Sequence, residues 1–105
     1  MAGIEYPNSD EQVKQRQEHD FKAPDLYRVL LHNDHYTTME FVVEVLVKVF
    51  HKSVIEATEI MLNVHERGAG QAGQYTYDIA QTKAGLVERM AKQREFPLKC
   101  TIEKV

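Results

Sequence analysis

Between Leu30 and Glu40 an apolar, strand-like run gives way to a short polar loop and then to a marked helix start. Thr37 and Glu40 have the S/T-x-x-E spacing of a capping box: the Thr37 hydroxyl accepts from the Glu40 N–H, and the Glu40 carboxylate accepts from the Thr37 N–H. Tyr36 and Phe41 occupy the two positions of a hydrophobic staple across that cap. A strand running straight into a helix calls for a layered domain, with the helix laid over the sheet. The loop between them carries Asn33, Asp34 and His35. Two readings of it stand open. It is a recognition element held by rigid flanks, or an ordinary turn in which Asn and Asp serve the backbone conformation.

The rest of the pattern extends this start. Residues 26–32 read as a strand, with Tyr27, Val29 and Leu31 on one face and Leu26, Arg28, Leu30 and His32 on the other. After the loop, a helix over 38–51 is predicted from Val42, Val45, Leu46, Val49 and Phe50 at i, i+3, i+4, i+7 and i+8. It is rich in Val, so packing rather than propensity must hold it. A second capping box, Ser53 to Glu56, opens a helix running to Arg67, where Gly68 ends it. Its stripe is Val54, Ala57, Ile60, Met61 and Val64. The glycine-rich stretch 68–75 offers a turn and a short, poor strand over 71–75. It is no phosphate loop, because no helix start follows at the required spacing.

Thr76 then caps a third helix, with Asp78 favourably placed in its first turn. Ala80, Lys83, Val87, Met90 and Ala91 share one face, with Leu86 beside them, and the helix must stop before Pro97. Leu98, Cys100 and Ile102 alternate with Lys99, Thr101 and Glu103 as a half-exposed strand. The fold class expected is α+β, a small three-stranded antiparallel sheet packed against three helices in the order β-α-α-β-α-β.

Residues 1–23 are too polar to offset the entropy of ordering, and read as a flexible extension with transient helix between Asp10 and Asp20. Residues 24–105 suffice for one modest core. The formal net charge of -3 and the lack of a Lys/Arg cluster speak against nucleic acid as a partner. No apolar run approaches a membrane span, and the N-terminus lacks the apolar stretch of a signal peptide, so the expected location is the cytoplasm. The single cysteine, Cys100, excludes an internal disulfide and a CxxC site.

His32, Asp34, His35 and His65 offer metal-ligating side chains, but not at HxH or HExxH spacing. No serine has a nucleophile-elbow context, and Cys100 sits mid-strand. His65 with Asp34 could act as acid and base, but nothing in these residues indicates a reaction, so no enzyme, cofactor or metal is expected. Met61, Val64 and His65 share a helical face. As isolated residues, Met39, Met61 and Val64 read equally well as core, and His65 as a helix-end histidine favoured by the dipole.

Four segments in order shift this balance. Asn33-Asp34-His35-Tyr36-Thr37-Thr38-Met39-Glu40-Phe41-Val42 resembles the NDDYTPMEFV signature of the ClpS family. Met61-Leu62-Asn63-Val64-His65 resembles its MLxVH motif. Ala80-Gln81-Thr82-Lys83 resembles its AETK motif, and 97–104 its PLxCTLEK tail. The resemblance runs from about Tyr27 to the C-terminus. It implies an adaptor that binds destabilising N-terminal residues (Leu, Phe, Tyr, Trp) and delivers their bearers to the AAA+ unfoldase ClpA of the Clp protease, acting as a monomer.

On that resemblance, Asn33, Asp34 and His65 receive the substrate α-amino group. A small ammonium with three donors suits such acceptors, at about 1.5–3 kcal/mol per charge-assisted bond. Thr37, Met39, Val42, Met61, Val64 and Leu98 form the pocket for the first side chain, whose burial contributes about 1.5–3 kcal/mol. After the cost of association the sum is compatible with roughly micromolar binding. Met39 is expected to exclude β-branched first residues. Asp78, Thr82 and Lys83 match the surface that docks on the unfoldase N-terminal domain, and the N-terminal extension engages the unfoldase.

Two residues depart from the family pattern. His35 replaces a second Asp near the second substrate residue, removing half the loop's usual negative charge. An imidazole there can become a cation in mild acid, so affinity is expected to fall as pH drops. Thr38 replaces Pro at the helix start. Two other classes fit less of the chain: a ribosomal-stalk-like interaction module, and a metal-assisted hydrolase.

Overall fold

The computed structural model describes residues 23–105. Residues 1–22, nearly all of the expected extension, lie outside the described part. The elements are β1 (Tyr27–His32), α1 (Met39–Lys48), α2 (Val54–Arg67), β2 (Ala69–Tyr75), α3 (Tyr77–Gln93) and β3 (Lys99–Lys104). The strands form one antiparallel sheet in the order β2-β1-β3. The fold is thus the expected α+β arrangement of three strands and three helices.

β1 is central because it supplies the apolar face. Val29 and Leu31 are fully buried, as their alternation predicts. Its pairing with β3 is regular, from Tyr27 opposite Lys104 to His32 opposite Lys99. Its pairing with β2 shifts register between Val29 and Leu30, leaving Ala72 as the additional residue of a bulge. Ala72 is fully buried.

β2 is longer than the sequence suggests, because its glycines answer to close approach rather than to turning. A Cβ on Gly70 would lie 2.7 Å from Val64 Cγ2, and one on Gly73 would lie 2.5 Å from the Tyr75 hydroxyl. A side chain at either position would force Val64 or the Tyr75 ring to shift, so the glycines let β2 pass this close to α2 and to its own Tyr75.

α1 buries Phe41, Val42, Val45 and Leu46 in the core. It ends at Lys48, short of the expected 51, although Val49 and Phe50 beyond it remain buried. His51 adopts a left-handed φ of 58°, which a helix cannot continue through. The carbonyl freed at Val49 accepts from Lys83 Nζ of α3 at 2.7 Å. That ammonium also lies 5.1 Å from the Tyr75 ring centroid and 5.8 Å from that of Phe50, within cation–π range.

α2 starts with the expected capping box: Glu56 N–H donates to Ser53 Oγ at 3.1 Å, and Ser53 N–H to Glu56 Oε1 at 3.2 Å. It ends at Gly68 with φ 90°, in the left-handed region glycine tolerates. Ala57, Met61 and Val64 are buried, but Val54 is not part of the stripe. It is 66% exposed, because the first turn of α2 stands clear of the core.

α3 begins after Thr76, whose side chain makes no capping bond; only its carbonyl takes part, accepting from Ala80 N–H at 2.9 Å. Before Pro97 the helix closes in a Schellman pattern. Phe96 N–H donates to Ala91 O at 2.9 Å and Glu95 N–H to Lys92 O at 3.1 Å, with Glu95 at φ 60°. This turn delivers Phe96 to Phe41, with ring centroids 5.0 Å apart. Burial, with Glu88 nearby, pushes the Cys100 thiol up to about 12, as suits an inert core cysteine.

Candidate functional site

Where β1 ends, Asn33 N–H donates to the Gly68 carbonyl at 2.9 Å. The bond continues the β1–β2 pairing by one step beyond His32 opposite Ala69. It ties the loop after β1 to the last turn of α2, and so sets Asn33 beside the element that carries His65. Neither the Asn33 amide nor the His65 ring makes a side-chain hydrogen bond with another described residue, and both are exposed.

Asp34 braces this loop. Its Oδ1 accepts from Tyr36 N–H at 2.8 Å and from Thr37 N–H at 2.7 Å, and its Oδ2 accepts from the Thr37 hydroxyl at 2.7 Å. Burial by itself raises its carboxyl. The Thr37 backbone and hydroxyl bonds, the Tyr36 bond and the nearby His35 outweigh burial and hold the group below the ordinary carboxylate value. Asp34 is therefore an anion at neutral pH.

These bonds overturn the expected start of α1. The Thr37–Glu40 box does not form, because Thr37 has given both its N–H and its hydroxyl to Asp34. The cap is Thr38, whose Oγ1 accepts from Phe41 N–H at 3.1 Å. The residue that departs from the family's proline thus does the capping. With the cap one residue later, Tyr36 leaves the staple position: it is 76% exposed, while Phe41 is buried.

A cavity of about 310 Å³ opens at this junction. Asn33, Asp34, His35 and His65 line its polar side, and Thr37, Met39, Val42, Met61 and Val64 its apolar side. One sequence-predicted pocket residue is not in that wall: Leu98 is 6% exposed and belongs to the core cluster. His32 has a separate use, with Nε2 2.7 Å from Thr101 Oγ1 across β1 and β3. Among the described residues no group of three or more His, Cys, Asp or Glu stands close enough to hold a metal ion.

The expected docking residues lie on α3. Asp78 and Thr82 are exposed, and the Thr82 hydroxyl donates to the Asp78 carbonyl at 3.0 Å. Lys83 points inward instead, onto Val49. Sequence reasoning assigned Gly68 only to stopping a helix, whereas its carbonyl also positions Asn33. The signal for that second role was its place next to a strand antiparallel to β1.

Chemically, the arrangement offers acceptors and one negative charge at an apolar cavity, the complement of a cationic group attached to an apolar side chain. A sheet covered by helices, with such a cavity where β1, α1 and α2 meet, places the chain among small α+β binding domains. The Agrobacterium tumefaciens ClpS2 structure bound to L-phenylalaninamide superposes with a TM-score of 0.76 at 38% identity, covering 79% of this chain and 100% of that one.

The family model for the ATP-dependent Clp protease adaptor protein ClpS matches residues 22–101, and the chain belongs to the ClpS family. Curated relatives named ATP-dependent Clp protease adapter protein ClpS agree. That of Acetivibrio thermocellus is 57% identical over 87% of this chain and 92% of its own length. That of Syntrophus aciditrophicus is 51% identical over 93% and 92%. That of Desulfatibacillum aliphaticivorans is 62% identical over 78% and 79%. The chain is accordingly an adaptor of the Clp protease, a role its relatives' names describe without catalysis. No helix among the described residues is long and apolar enough to cross a membrane.

Proposed function

We propose that this adaptor binds the free α-amino group and first side chain of proteins beginning with Leu, Phe, Tyr or Trp, and delivers them to a ClpA-type unfoldase in the cytoplasm as a monomer. The observation that carries this reading is the pairing of Asn33 and His65, acceptors without partners among the described residues, at the polar side of an otherwise apolar cavity. The Asn33 amide oxygen and an unprotonated His65 nitrogen take two ammonium protons. Asp34 supplies its charge while its hydrogen bonds keep the loop in shape. His35 lies at the mouth, near the second substrate residue. Thr37, Met39, Val42, Met61 and Val64 enclose the first side chain, and Met39, at the helix start and 43% exposed, limits branching there.

The likeness to a relative bound to phenylalaninamide, which has a free amine and a benzyl group, supports the same assignment of ends. Asp78 and Thr82 present the face for the unfoldase N-terminal domain, with Lys83 fixing α3 against α1, and residues 1–23 engage the unfoldase during delivery. Titration of matched Leu- and Phe-initiated peptides, free and N-acetylated, tests the reading. The free peptides should bind at roughly micromolar strength. Acetylation, or His65→Ala in a folded variant, should weaken binding about tenfold or more. Equal affinity for free and acetylated peptides overturns it.

A further inference from the structure

A second cavity, a shallow depression of about 350 Å³ wide open to solvent, lies beside the first and is lined by Met39, Glu40, Val43 and Met61. The two cavities share only Met39 and Met61. None of the polar residues of the first cavity reaches this boundary, so the second cavity adjoins its apolar end. The partition between them is therefore made of two thioether side chains. Each is unbranched, turns about three bonds, and carries no hydrogen-bonded group that rotation would break. Met39 is 43% exposed and so is not held by packing on all sides, while Met61, at 9% exposure, is the least buried member of the core. A β-branched pair in the same places would be confined at χ1 and could not turn aside in this way.

We propose that Met39 and Met61 form a movable partition, and that the second cavity is a distal subsite for the far end of an N-terminal side chain reaching beyond a benzyl group. The class of ligand is a peptide whose first residue bears an extended aromatic side chain. This inference rests on the first-side-chain reading above and extends it. The amine stays at Asn33 and His65, the first ring fills the first cavity, and the methionines turn aside. The outer ring then packs on Val43 and on the aliphatic stem of Glu40, whose carboxylate remains in water at the rim.

Peptides identical except for a first residue of Phe, Trp or 4-phenylphenylalanine, titrated against the full chain, provide the test. The parent should bind the 4-phenylphenylalanine peptide within about threefold of the Phe peptide, or more tightly. Val43→Phe fills the second cavity from α1 without lining the first. It should weaken the 4-phenylphenylalanine peptide about tenfold or more and leave the Phe peptide within about twofold, which also reports that the variant is folded. Val43→Leu, the milder filling, should shift the extended peptide alone by about threefold, and decides the matter if Val43→Phe does not fold. A parent that binds Phe but rejects 4-phenylphenylalanine, or folded Val43 variants that bind both peptides as the parent does, overturns the subsite and leaves the amine reading standing. A parent that binds neither peptide overturns the amine reading, and the subsite with it.

Discussion

The S/T-x-x-E spacing occurs at Thr37–Glu40 and at Ser53–Glu56, and only the second becomes a capping box. At Ser53 both reciprocal bonds form. At Thr37 the N–H and the hydroxyl both go to Asp34, three residues upstream. The position three residues before Ser53 is Phe50, which accepts nothing. The difference shows that a local motif forms where no stronger local acceptor competes. A carboxylate taking three bonds within one turn is the stronger partner, since bonds to an ionised acceptor exceed neutral ones. The consequence is functional. One helix start is a plain structural cap, whereas the other is moved one residue along to Thr38, and its loop is braced at the mouth of the cavity.

Breaking the brace should have the largest effect. Asp34→Ala is expected to cost about 1–3 kcal/mol in urea unfolding and to weaken a Phe-initiated peptide about tenfold or more. Undiminished stability would mean that the loop needs no brace. The same carboxyl gives the comparison a pH signature. Its value in the folded chain lies below the reference of 3.8, so its stabilisation is complete above that reference and is lost as pH falls through the lower folded value. The stability gap between the parent and Asp34→Asn should hold from about pH 7 to 5 and close only in stronger acid. A gap already closed near pH 6 would assign the effect to another group.

The second helix start separates stability from binding. Ser53→Ala should cost about 1 kcal/mol and leave peptide affinity unchanged, because its cap lies outside the cavity wall. A loss of affinity with no loss of stability would contradict that division. Thr38→Ala should cost about 0.5–1 kcal/mol in thermal or urea unfolding, as the loss of an exposed cap does. Glu40→Ala is expected to stay within about 0.5 kcal/mol of the parent, since Glu40 closes no box. If it destabilises as much as Glu56→Ala, the two starts are alike after all.

Much of the fold was legible. The alternation in Tyr27–His32 and the stripes of Val42–Phe50 and, Val54 apart, Ala57–Val64 match the faces that are buried, because periodicity and burial have the same cause. The site was legible in its residues through the family motifs, and Asn33, Asp34, His65 and most of the apolar wall do come together. Their division of labour was not. Asp34 read as an acceptor for the ligand, and it also holds Tyr36 and Thr37. Lys83 read as a docking residue, and its ammonium is also bonded to the Val49 carbonyl. Leu98 read as pocket wall, yet it lies in the core.

What the sequence determined by itself is the order of elements and where most helices begin and end. Those features depend on side chains within a few residues of one another: the Ser53 box, the stop at Gly68 and the closure before Pro97. Tertiary structure decided the rest. β2 runs as a full strand because Gly70 and Gly73 let it approach Val64 and Tyr75, not because its residues favour extension. α1 stops early, with Lys83 from a distant helix satisfying the carbonyl it leaves. Asn33 N–H meets the Gly68 carbonyl, and Asn33 shares a cavity with His65, because antiparallel pairing sets the end of β1 against the end of α2. Such outcomes rest on partners far apart in sequence, and only the packed chain brings those partners within hydrogen-bonding distance.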